Sequence, residues 1–523
     1  MKMKSLAAAI ALTIVPVSSV FAAALDRSGQ SVAAFLQPDN YFETGFSVLD
    51  PDVSGREAGD SVTRRNIGDM ADDYAFPQVA IKLQPTKNFS FGILYDQPFG
   101  ADARYSGNNA FVSNSGDTIL GAQQLAGIRQ SQITQNVAAQ LPAFIAANFD
   151  NGVNQVVAAQ AAAALAAGIA NGTIPAGTPQ AAIEARIRND AGTLAAIQAG
   201  VTDEITKQVT AGVTQKVDDG LGAVNSTVGG TGGGTQVEVE TQNLSFLFGF
   251  QPTENWNFYA GPVYQTVKGK VKLRGQAYSL YNGYDADIPE ENAWGWLAGM
   301  AYQIPEIALK ASVTYRSDID YDANIDETIP TLGALALLGD PSAPGKIAAA
   351  KGTTSITTPQ SVNLDFQTGI MANTVAFANV RWVDWSDFSI QPYKFGLISQ
   401  AAGKVINKPN GFNLVEYSDD QWSANVGVGR KVNDKWAGNV SVGWDSGSGN
   451  PISTLGPTEG YWNAGLGIQY SPAPNYFVAG GVKYFWLGDA KAQTGAQAGT
   501  NAYVANFQDN EAIAYGLKLG YRF

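Results

Sequence analysis

The sequence contains no cysteine and no histidine. Without thiols there is no disulfide, no thiolate nucleophile and no cysteine-held metal. Without imidazole the usual general base at neutral pH is missing, and with it every Ser–His or Cys–His pair. Carboxylates and lysines remain, but no nucleophile constellation is recognisable, so neither an enzyme nor a cofactor or metal is expected. Charge is scarce as well, at 15% of residues, and its balance is acidic, net −13. Nucleic acid is not an expected partner, because phosphate binding needs a positive field.

Long apolar runs are nearly absent. The one that stands out, Leu6–Val20, follows Lys2 and Lys4 and precedes Phe21-Ala22-Ala23-Ala24. A positive start, a short apolar stretch and small residues make residues 1–24 a secretory signal peptide, cut after Ala22, Ala23 or Ala24. The run is shorter than the ~20 residues of a spanning helix. No later segment reads as long and apolar enough to span as a helix, and the chain is taken as exported.

What the chain has in quantity is glycine, 57 residues, and aromatics, 11%. Their arrangement is strand-like. Ser355–Phe388 reads as two long strands turned at Met371–Thr374, with Ala376, Ala378, Val380 and Trp382 on one face. Phe377, Asn379, Arg381 and Val383 fall on the other, the period-2 mark of a strand between two solvents. Trp382 and Trp385 sit at its end, where a membrane interface suits amphipathic rings. The same unit recurs over Tyr41–Leu49, Phe76–Leu83, Phe89–Asp96, Gln242–Pro262, Trp294–Tyr321 and Gln421–Phe523. Turns between strands alternate between very short and long, as in an up-and-down outer-membrane barrel with tight periplasmic turns and long extracellular loops. Aromatics beside the short turns (Phe89, Trp256, Trp436, Tyr476) and a membrane's height further along (Tyr95, Tyr264, Trp444, Trp486) predict two girdles. The count is about fourteen strands, and the last alternates strictly up to a terminal Phe523, which would meet the barrel-assembly machinery. The fold class expected is an all-β transmembrane antiparallel barrel.

Two stretches break the pattern. Gln97-Pro98-Phe99-Gly100 interrupts the third strand, and a proline there breaks the ladder, so a kink in the wall is expected. Residues 107–236 are rich in Ala, Gln, Ile and Val and nearly free of aromatics. They read as an insertion of several short helices, punctuated at Pro142, Asn171-Gly172 and Gly229–Gly234, or else as a low-complexity loop. The expected organisation is therefore signal peptide 1–24, short N-terminal hatch 25–40, barrel strands one to three in 41–106, extracellular insertion 107–236 and the remaining strands in 237–523.

The ordered set Asp50-Pro51-Asp52-Val53, Trp294-Gly295-Trp296, Thr314–Asp318, Thr358–Ser361, Arg381–Ser386 and Asn433–Trp436 resembles the FadL/TodX outer-membrane transporters of long-chain fatty acids and other hydrophobic compounds. The resemblance covers roughly residues 41–105 and 237–523. It implies a fourteen-stranded barrel closed by an N-terminal hatch, a hydrophobic extracellular groove that captures ligand, and a third-strand kink that opens sideways to the membrane. Pro98, Phe99 and Gly100 fall where that opening should be. The chain departs from the family at two places: the segment before Tyr41 is short and lacks an Asn-Pro-Ala-like element, and the insertion is unusual.

Uptake of an amphiphile needs an exposed apolar surface, a lumen pocket and a cation for a carboxylate head. Leu332, Leu335, Leu337 and Leu338 form an apolar cluster in a loop, read either as a capture surface or as packing on a neighbouring loop. Phe395, Leu397 and Ile398 are a second candidate. Arg316 and Arg381 fall on lumen-facing positions, where they would hold a head group or pair with Asp318, Asp365 or Asp384. Asp318, Asp320, Asp322 and Asp326 lack the loop glycine of an EF-hand and read as solvated loop charge. The function expected is passive uptake of hydrophobic compounds or fatty acids across the outer membrane of a Gram-negative bacterium, with lateral release into its lipids. An adhesin or receptor using the insertion, or a general porin, are the alternatives.

Overall fold

The computed structural model describes residues 25–114, 122–228, 232–338, 342–403 and 408–523; the signal-peptide stretch lies outside them. Two compact units emerge, a β unit and a helical unit spanning Leu120–Ser226 together with Gly333–Ser342.

The β unit is a closed antiparallel barrel. Its strands are β1 (Tyr41–Asp52), β2 (Tyr74–Leu83), β3 (Phe89–Asp96, continued by Gly100–Arg104), β4 (Gln236–Phe250) and β5 (Trp256–Lys272). They continue with β6 (Asp285–Ile304), β7 (Leu309–Arg316), β8 (Ser361–Met371), β9 (Thr374–Val383) and β10 (Gln421–Lys431). The last four are β11 (Trp436–Asp445), β12 (Tyr461–Ala473), β13 (Tyr476–Leu487) and β14 (Glu511–Arg522). Each pairs with its sequence neighbour, and β14 pairs with β1 from Tyr41↔Arg522 to Asp52↔Glu511, which closes the ring at fourteen strands.

The alternation seen in the sequence is what two solvents impose. On β14, Ile513, Tyr515, Leu517, Leu519 and Tyr521 stand exposed on the lipid side, while Ala512, Ala514 and Lys518 are buried within. Inward positions elsewhere carry Ser47, Ser90, Asn243, Gln265, Asn363 and Asn463, polar groups of the lumen, beside a buried apolar cluster that includes Leu247, Val263, Val267 and Leu297. Trp256, Trp436, Tyr476, Trp444 and Trp486 are exposed near the strand ends, where the girdles were expected. Trp385 is not at the interface: its side chain is 0% exposed and packs inward. Asn373 takes a positive φ in the two-residue turn between β8 and β9, a conformation asparagine tolerates better than most side chains.

The helical unit contains α1 (Ala122–Ala170), α2 (Gln180–Asn189) and α3 (Ala191–Val228). Two of these are far longer than the short helices expected. Pro142 does not end α1, and the sequence expectation of a break there is corrected. Leu125–Ala170 is also long and apolar enough to cross a membrane by length and composition, contrary to the sequence reading; alanine is its commonest residue. On α3 the buried residues Ile197, Val201, Ile205, Val209, Val213, Val217 and Leu221 recur every fourth position. Beside them Thr202, Thr206 and Thr210 each donate to the carbonyl four residues back, at 2.7–2.8 Å. Arg129 on α1 reaches Asp218 on α3 through two bonds of 2.6 and 2.8 Å.

Candidate functional site

Residues 25–40, short as they are, fill the lumen. They form no regular element; their polar groups are met by the inward side chains of the wall, which is why a segment with no period of its own holds one course. Asp26 and Arg381 on β9 make an ion pair of 2.7 Å with side chains 1% and 2% exposed. Arg381 also donates to Asn363 (2.7 Å), Gln30 (3.0 Å) and Ser361 (3.2 Å). Arg316 on β7 donates to the Gln30 carbonyl at 3.1 Å and to Ser245 at 3.2 Å. Asn363 meets the Gly29 carbonyl, Lys310 the Leu36 carbonyl (2.7 Å) and Lys82 the Gln37 carbonyl. The Phe35 ring lies against Tyr259, over Gly92 and Gly249, where any Cβ would strike it.

Arg316 and Arg381 are thus together in the lumen, but the carboxylate that pairs with Arg381 is Asp26, not Asp318, Asp365 or Asp384. Asp365 accepts instead from Asn379 at 2.8 Å, and Asp384 from Gln360 at 2.7 Å. Sequence reasoning missed Asp26 because nothing local marks it. Beside the segment remains a cavity of about 160 Å³, bordered by Leu36, Leu94, Lys310, Arg316, Asp365 and Lys518.

The wall is interrupted at the predicted kink. Asp96 pairs with Asn243 but Gly100 with Glu240, so three residues on β3 face two on β4, one residue too many for the ladder. The hydroxyl of Thr241 accepts from the Phe99 amide (2.9 Å) and donates to its carbonyl (2.7 Å). The N-terminal segment supplies the other bonds: Arg27 N–H to the Pro98 carbonyl at 2.6 Å and Gly100 N–H to the Leu25 carbonyl at 2.9 Å. On the opposite edge, β2 is laddered to β3 only from Val79↔Tyr95 to Leu83↔Phe91. Contact returns at Ala71↔Ala103 and where the Tyr74 hydroxyl bonds the Asp102 backbone. Between these limits lies a gap of about 280 Å³ lined by Tyr74, Phe76, Gln97, Phe99, Gly100 and Thr241. Arg27 reaches into its edge, its guanidinium 4.4 Å from the Tyr74 ring and its Nε 2.6 Å from the Gly100 carbonyl. Pro98, Phe99 and Gly100 are therefore at an actual break in the wall.

The loop candidates fare differently. Pro330–Leu338 forms a 3-10 turn in which Leu332 is half-buried and Leu335 is 2% exposed, so these two do not form an open apolar patch. The side chains of Leu337 and Leu338 lie outside the described residues. Phe395 and Ile398 are buried on a helix, α5 if the short Ala343–Ala349 is α4, that runs Tyr393–Gly403. Glu327 caps that helix, accepting from the amides of Lys394 and Phe395 at 2.7 and 2.8 Å. Phe395 stacks on Tyr281 at 4.1 Å and meets Tyr284 and Phe412 edge-on. Nearer the break, Trp385 meets Phe99, Phe388 and Tyr417 edge-on at 5.7, 5.1 and 5.3 Å.

A lipid-facing barrel with a filled lumen, long loops at one end and a break in one wall is the build of an outer-membrane transport protein. Residues 136–523 match the outer membrane transport protein family OMPP1/FadL/TodX. The chain belongs to that family, and it resides in the outer membrane. Comparison with curated protein sequences returns no match. Among solved structures, a FadL homologue of Pseudomonas aeruginosa is similar with a TM-score of 0.54 at 12% identity, over 94% of this chain and 92% of that one. The Pseudomonas putida toluene transporter TodX gives 0.48 at 9%, over 98% of both chains. The Ralstonia pickettii toluene transporter TbuX gives 0.45 at 10%, also over 98% of both. At such identities the likeness to the FadL homologue speaks for the fold.

Proposed function

We propose that the protein takes hydrophobic compounds from the loop end of the barrel into the lumen and releases them sideways into the membrane through the break between β2 and β3. The observation that carries this reading is the 280 Å³ gap itself, bordered by Phe76, Phe99 and Ala101 and free of ladder bonds on its β2 side from Tyr74 to Gln78 among the described residues. A straight path toward the short turns is a poorer route for an apolar molecule. Below the gap the lumen narrows to the 160 Å³ cavity bordered by Lys310, Lys518, Glu43 and Asp365, and Lys518 and Glu43 are paired at 3.2 Å. Such a lining gives a hydrocarbon little apolar surface in exchange for water, whereas the gap, although Asp102, Glu238 and Glu240 also line it, opens through the wall toward lipid. The same filling weighs against a general diffusion porin. Several solved relatives are described as toluene transporters or monoaromatic hydrocarbon channels, and fatty acids or hydrocarbons are the ligands assigned here. Arg316 is the residue best placed for a carboxylate head, since it borders the lumen cavity; Arg381 is engaged by Asp26.

The test is uptake of radiolabelled decane and of dodecanoate into cells with no other such transporter, comparing the native chain with Ala75→Trp/Ala101→Trp. Filling the gap should cut uptake of both at least tenfold while the purified protein still binds them. Unchanged uptake through the filled wall would refute lateral release.

A further inference from the structure

Phe99 occupies an unusual position. It borders the gap in the wall, and it also borders a small cleft on the lumen side with Gln30, Val263, Arg316 and Ile319. Among the described residues no other lines both. That cleft in turn shares Arg316 with the main lumen cavity. The cleft is small, about 10 Å³, and the Phe99 side chain is the partition between it and the gap.

The partition is held by contacts that can be exchanged. Phe99 lies in the residue surplus between the Asp96↔Asn243 and Gly100↔Glu240 pairs, its backbone bridged to Asp26, so its side chain can swing without breaking a strand ladder. Its ring meets Trp385 edge-on, at 81°, and Trp385 in turn packs with Phe388 and Tyr417 into an aromatic nest. These three belong to the loop joining β9 to β10, strands six and seven places round the ring from β3. The nest is fixed without Phe99: the Trp385 Nε1–H donates to Gln421 at 2.8 Å, and Gln421 donates to Asp445 at 2.7 Å. Edge-to-face contact is the arrangement any free aromatic ring would adopt on such a surface.

We infer that the Trp385–Phe388–Tyr417 nest is a binding site for one apolar ring or a short alkyl segment of the transported compound, and that Phe99 occupies it as an internal stand-in. A ligand group that enters the nest displaces Phe99, and the displaced side chain joins the cleft to the gap. Binding and opening are then one event. The inference rests on the lateral-release reading for its consequence, but the site itself is testable apart from it.

Binding of fluorobenzene to the full chain in phospholipid nanodiscs, followed by fluorine NMR, is the test. Removing the internal competitor with Phe99→Ala should tighten the dissociation constant about two- to tenfold, the worth of one edge-to-face pair. Phe99→Leu should give a smaller gain in the same direction, and serves should the alanine variant not assemble. Trp385→Ala should abolish the gain in the Phe99→Ala background. Equal or weaker binding by both Phe99 variants would overturn the site, as would a gain that survives loss of Trp385. In parallel, a fluorophore on Gln97→Cys, unique in a cysteine-free chain, reports contact with nitroxide-bearing lipids. If fluorobenzene binds as predicted but quenching does not rise, lateral release fails and the nest stands. If quenching rises while the variants bind no tighter, the nest fails and the gap stands.

Discussion

Replacing Asp26 by alanine leaves the Arg381 guanidinium in the lumen with its bonds to Ser361, Asn363 and Gln30 but no ion-pair partner. Both partners are almost wholly enclosed, at 1% and 2% side-chain exposure, so water does not replace the lost carboxylate. Removing one member of such a pair typically costs about 3–5 kcal/mol. The barrel ladder does not pass through Asp26, so the cost falls on docking of the segment that bears it. At about 1.4 kcal/mol per tenfold, the docked end should open roughly a hundred- to several-thousand-fold more often. Hydrogen exchange reads this directly at the Arg27 amide, which is bonded to the Pro98 carbonyl in the docked state. Its protection should fall by that factor, while amides in the middle of β9 hold theirs. Adding Arg381→Met, which removes the stranded charge and keeps bulk, should restore much of the protection. A loss of less than tenfold in Asp26→Ala, or no recovery in the double variant, would refute the claim that this pair pins the segment.

Other perturbations test neighbouring parts. Thr241→Val removes the hydroxyl that serves both backbone groups of Phe99, and each buried group left unmet costs about 1–3 kcal/mol; a spin label on Gln97→Cys should become more mobile, and Thr241→Ser should not change it. Gly92→Val would drive a side chain into the Phe35 ring, only 2.5 Å from where a Cβ would lie; overpacking of about 1–3 kcal/mol should speed proteolysis of residues 25–40 without melting the barrel. Burial pushes the Glu459 carboxyl up to about 7 from an ordinary 4.5, the nearby Asp419 charge adding to it, while amides of Gly449 and Ser448 oppose the shift. A raised carboxyl favours the folded loop below about 4.5 and loses that contribution as pH rises through 7. Exchange in the loop 446–460 should therefore quicken, beyond its intrinsic pH dependence, between those values, and Glu459→Gln should remove the excess.

How much of this was legible depended on whether a residue's partner is implied by spacing. Strand residues declare themselves because lipid and lumen demand opposite chemistry at alternate positions, and so β8, β9 and β14 are readable to within a few residues. The kink was readable because proline has one consequence in a ladder. The lumen segment was not, because Asp26 and Arg381 are 355 residues apart and each alone is an ordinary charge. Trp385 was misplaced for a related reason: tryptophan at a strand end suits a membrane girdle, and only the loop's return, with Gln421 beneath the indole, turns it inward. Pro142 misled because a proline that breaks a short helix is accommodated within one of 49 residues.

The seam between β1 and β14 joins Tyr41–Asp52 to Glu511–Arg522, the two ends of the barrel-forming chain. No tube exists until the last strand has been delivered, so the barrel cannot close piecemeal as the polypeptide emerges. The segment that fills the lumen leads straight into β1 and is bonded to β2, β3, β7, β8 and β9. A cord tied to so many staves is not easily pushed through a finished cask. Its insertion must precede or accompany the zipping of the seam, and the order of assembly is thereby fixed by which two strands meet last.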